Sequence, residues 1–150
     1  MKPELEARRD GSDSDRYVFG VDEEQFHLLR RGLITYLGAD EHPVARALVL
    51  GPGWESLQAA LQAREVHADV VPGPLSLTFE EVRGLHGMLL TLATFYPGSE
   101  QDFVERAGFF RETVRQMASL LVGALKGAMD HRDGNGNGNG NGNGNGEGEA

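Results

Sequence analysis

The sequence predicts a helix-dominated α+β domain: a small antiparallel sheet of two or three short strands packed on two long and two shorter helices. Three observations carry this. Apolar residues recur at spacings of 3 and 4 over several long stretches, the period of a helix face. Short alternating stretches run straight into helix-capping sequences. Gly and Pro punctuate the chain between them.

The first element is a strand. Tyr17, Phe19 and Val21 alternate with Val18 and Gly20. Asp22 then opens a helix, and Gln25 completes a capping box with it. Phe26, Leu29, Leu33 and Tyr36 line one face of that helix, and Gly38 stops it. Asp40 and Pro43 open a second, shorter helix, with Val44, Ala47 and Leu48 expected inward. Gly51-Pro52-Gly53 breaks the chain, and a third helix runs from about Trp54 to Arg64 on Leu57, Ala60 and Leu61. Val66, Ala68 and Val70 read as a strand, Pro72-Gly73 as a turn, and Leu75 and Leu77 as a return strand. Thr78 and Glu81 form the next capping box, ahead of Val82, Leu85, Leu89, Leu92 and Tyr96. Pro97-Gly98 ends that helix.

Ser99 caps the last helix, which is expected from Glu100 to about Met129. Phe103, Ala107, Phe110, Val114, Met117, Leu121, Ala124 and Ala128 follow alternating spacings of 4 and 3, nearly four heptads. Gly108 is the weak point, where the helix is open to a break, because a helix-interior glycine costs about 1 kcal/mol. Ser119, Gly123 and Gly127 recur every four residues beside this seam and predict a close contact with another helix, within the chain or from a second copy.

Two strand–cap–helix units share a layout at an offset of 56: Phe26 matches Val82, Leu29 matches Leu85, Leu33 matches Leu89 and Tyr36 matches Leu92. Ordinary strand–cap–helix grammar, used twice, accounts for this without a duplication. Either way, two long helices should pack across a small sheet.

The chain has 150 residues, which fits one domain. Residues 1–15 mix charges with Gly and Ser and read as a disordered leader; 133–150, with its Gly-Asn repeat, reads as a disordered tail. The single domain is then 16–132. The formal net charge of −9 is concentrated at the ends: the middle holds 11 basic and 15 acidic residues, and 8 of the 21 Gly lie between Gly134 and Gly148. The acidic balance argues against general nucleic-acid binding. Absence of Cys removes disulfides, thiolate metal sites and cysteine nucleophiles. No apolar stretch marks a secretory leader or membrane span, so a cytoplasmic location is expected. Of the 14 basic residues, 12 are Arg, an excess that codon bias explains without anion recognition.

No catalytic spacing is present. The five His, at 27, 42, 67, 86 and 131, form no pair on one helix face, so no metal or cofactor is implied. The carboxylate clusters Asp22/Glu23/Glu24, Asp40/Glu41 and Glu80/Glu81 sit at helix starts, where the dipole and free N–H groups explain them. Gly51-Pro52-Gly53-Trp54 lacks the spacing of a phosphate-binding loop. The expected function is therefore a small, non-enzymatic protein–protein interaction or regulatory module. It would self-associate or join a complex through the last helix, with Phe110, Val114, Met117, Leu121, Gly123, Gly127 and Trp54 as interaction residues. The alternative is a small-molecule-binding protein or minor enzyme with a pocket near Gly51–Trp54 and His86.

Overall fold

A computed structural model describes residues 1–13, 15–39, 43–62 and 74–133. The described chain is a helix-dominated α+β fold. Its elements run β1 (Ala7–Arg9), β2 (Arg16–Phe19), α1 (Glu23–Gly38), α2 (Pro43–Leu50), α3 (Trp54–Gln62), β3 (Leu75–Thr78), α4 (Phe79–Phe95), α5 (Glu100–Ala107) and α6 (Arg111–Asp133). The Val66–Val70 strand, the Pro72-Gly73 turn and the Gly-Asn tail lie outside the described residues.

The sheet is antiparallel in the order β1-β2-β3. Tyr17 pairs with Leu77 and Phe19 with Leu75, and all four are buried. The alternation therefore sends one face of the sheet into the core. Both capping boxes form as the sequence predicts, and Ser99 makes a third with Asp102. The repeated layout is visible in the packing: Phe26, Leu29, Leu33 and Tyr36 on α1 and Val82, Leu85, Leu89 and Leu92 on α4 are all buried, and the two helices touch.

The expected disordered leader is corrected. Ala7–Arg9 is an edge strand on β2, and Leu5 is buried. The physical reason is Gln25, a fully buried polar side chain. Its Oε1 accepts from the Asp22 N–H at 2.9 Å, closing the capping box, and its Nε2 donates to the carbonyls of Lys2 at 3.1 Å and Glu4 at 2.9 Å. A glutamate would close the box but could not tie the leader down.

The Arg excess has a structural use. Neither α1 nor α4 carries a basic residue in its last turn. Arginines from other helices supply their missing donors. Arg46 of α2 donates to the Leu37 and Ala39 carbonyls at 2.8 and 3.2 Å. Arg111 of α6 donates to the carbonyls of Leu92 at 3.2 Å, Tyr96 at 2.9 Å and Gly98 at 3.2 Å. Arg115 reaches Ala93 O at 3.1 Å, and Arg31 of α1 reaches the α5 terminus at Arg106 O, 3.0 Å away. Each planar guanidinium can serve several carbonyls at once.

Candidate interaction surface

The expected continuous last helix divides at Gly108. Its φ is +81°, left-handed backbone suited to glycine, and it caps α5 before α6 begins. Phe103 and Ala107 are buried on α5; Val114, Met117, Leu121, Ala124 and Ala128 are buried on α6. The seam is thus real in both helices, but it faces inward, with α6 packed along α4 and against β1. In the described chain Val114, Met117 and Leu121 are therefore core surface.

The remaining seam and stripe positions fare differently. Phe110 is 61% exposed, because the turn at Gly108 breaks the helical phase that would have carried it inward. Phe109 takes the inner place and packs edge-on against His27, 5.9 Å between centroids. Ser119, Gly123 and Gly127 are exposed, and a Cβ built on either glycine meets nothing within 4 Å. The predicted close helix contact at this stripe is absent among the described residues. Trp54 starts α3 and is half-buried against the core.

Gly51 lies beside Arg83, and His86 is half-buried on α4. An open cavity of about 420 Å³ lies elsewhere, lined by Lys2, Pro3, Glu112, Arg115, Ser119 and Leu120 among others. Its Arg115 already holds Glu112 at 3.4 Å and the Ala93 carbonyl. Among the described residues, no three His, Asp or Glu gather as a metal-ligand set. No described helix is long and apolar enough to cross a membrane. The perturbed carboxylates have local structural causes: Asp10 is lowered by donation from the Ser12 N–H and hydroxyl in the β1–β2 connection, and Asp22 and Asp102 belong to helix capping boxes. At Asp102, donation from the Ser99 N–H and hydroxyl holds the carboxyl below the usual range. At Asp22, burial opposes the charge, but donation from the Gln25 and Lys2 N–H groups outweighs it and lowers the pKa.

The unexpected surface is α2. Its sequence, Pro-Val-Ala-Arg-Ala-Leu-Val-Leu, has only Leu50 buried. Val44 is 59% exposed and Leu48 80%, and Ala47 lies between them on the same face. The expectation that these three point inward is corrected. The helix docks instead by its carboxyl end on α4. A Cβ on Gly84 would lie 2.2 Å from the Leu50 carbonyl oxygen, and one on Gly87 3.1 Å from that of Val49. At Gly84 only glycine allows so close a backbone approach, and at Gly87 a side chain would fit tightly. Arg46, the single charge of α2, is turned back onto α1, so it leaves the outward face uncharged.

No family model, curated protein or solved structure matches the chain.

The sequence held two signals for this surface. α2 is apolar nearly all round, and an eight-residue helix lying on a domain cannot bury every side. The Gly84/Gly87 pair marks a face of α4 where another backbone comes close. Phe95 and Phe110 are also exposed, 77% and 61%, but each is a single residue at a helix end rather than a helix face.

Proposed function

We propose that the chain is a non-enzymatic protein-interaction module, acting in the cytoplasm, whose docking face is the exposed side of α2. One observation carries the reading: Val44, Ala47 and Leu48 present an apolar helix face to solvent while α2 is held in place by its other side. Exposed apolar helix faces are common recognition elements, because covering them removes apolar area from water. The absence of Cys suits a reducing compartment.

Placing a photo-crosslinking amino acid at position 48, and separately at 123, tests this in cells. Position 48 should give a discrete protein adduct and position 123, on the exposed stripe of α6, none. Identical products from both positions, or no adduct from 48, would remove the support for this face.

A further inference from the structure

We infer that the partner of α2 is a second copy of this chain, the two α2 helices packing face to face about a two-fold axis; this rests on the docking role proposed for α2. A symmetric dimer brings the same patch of both subunits together, so the patch must be compatible with itself. The chain carries a net charge of −9, and two copies repel wherever their carboxylates are brought together. Among the described helices α2 alone has no acidic residue; each of the others carries at least one. Its one charge, Arg46, is committed to the Leu37 and Ala39 carbonyls at 2.8 and 3.2 Å. Among the described residues, the face therefore offers no ionic group to select a charged partner. What it fits is another uncharged apolar strip, and a second α2 supplies one by symmetry.

Size sets the strength. Eight residues of helix span about 12 Å. An interface centred on so short an element falls at the small, transient end of the range. The dimer should form with a Kd of about 10–300 µM, and added salt should tighten it by screening repulsion between the acidic subunits.

Position 47 lies at the centre of the face, nearest to a two-fold axis through it. The chain has no Cys, so Ala47→Cys introduces a single thiol. A disulfide between two copies requires their Cα atoms within about 7 Å. Under copper phenanthroline and air, Ala47→Cys should convert largely to a covalent dimer, and Gly123→Cys should remain mostly monomer. Sedimentation equilibrium of the unmodified full chain at about 5–500 µM should show its mean mass rising from monomer towards dimer. Val44→Ser with Leu48→Ser should abolish that rise while leaving the melting temperature intact. A monomer throughout, or equal cross-linking at 47 and 123, would overturn the second copy as partner. If position 48 then gives an adduct with a different protein, the docking role survives and only the partner is wrong. If its adduct is internal, to residues 63–73, α2 is covered by its own chain and both readings fall.

Discussion

Replacing Arg111 by alanine should loosen three helices at once. Its guanidinium donates to Leu92 and Tyr96 at the end of α4 and to Gly98 beyond it. Its Nε lies 3.2 Å from Glu100 at the start of α5, and its cation sits 4.5 Å over the Phe103 ring. The side chain is only 14% exposed, so screening by solvent is limited and water cannot easily replace it. Charge-assisted bonds contribute about 1.5–3 kcal/mol each, but partial rehydration of the freed carbonyls makes the sum far from additive. A net loss of about 3 kcal/mol is expected, lowering Tm by about 10 °C for a chain of this size. Arg111→Lys should recover less than half, because one ammonium cannot span the same fork of acceptors. Thermal unfolding followed by circular dichroism reads both. A Tm within about 2 °C of wild type for Arg111→Ala, or full recovery by lysine, would refute the reasoning.

Three further outcomes follow from single contacts. Gly84→Ala should destabilise by about 2–4 kcal/mol, although alanine is the better helix former, because its Cβ meets the Leu50 carbonyl; Gly123→Ala, with open space, should stabilise by about 0.5–1 kcal/mol. Urea melts that rank the two alike would contradict both assignments. Gln25→Glu should cost about 2–4 kcal/mol and speed amide exchange over residues 5–9, since the bonds to Lys2 and Glu4 require a donor; unchanged exchange there would clear Gln25 of the strapping role. The lowered pKa of Asp102 adds stability that is complete above the ordinary aspartate value of about 3.9 and is lost as pH falls through the folded value. Asp102→Asn should therefore flatten stability against pH below about 5, and an unaltered acid limb would count against the cap.

Much of the architecture was legible because local rules and tertiary packing agree. Asp22 with Gln25 and Thr78 with Glu81 mark two helix starts, and the apolar spacing behind each picks out buried residues. The leader was not legible, because its few apolar residues are held by a side chain more than twenty positions away, Gln25. The α6 seam poses a related difficulty. A heptad seam states that a helix face is apolar, not what covers it, and here α4 and β1 of the same chain do so. α2 inverts the case: Val44, Ala47 and Leu48 look like core residues, but Gly84 and Gly87 draw the opposite side of the helix onto α4. The arginine caps escaped notice because their acceptors are carbonyls, which every residue has and no sequence pattern reveals.

The claim that the α6 seam is core and the α2 face is surface can be tested with one paired measurement. Leu121 is 1% exposed and Leu48 80% exposed, and each is truncated identically by Leu→Ala. Denaturant unfolding of the two variants at a concentration low enough to keep the chain monomeric compares them directly. Leu121→Ala should lose about 2–4 kcal/mol, and Leu48→Ala should stay within about 0.5 kcal/mol of wild type. Equal losses, or a larger loss at Leu48, would contradict the assignment of both faces.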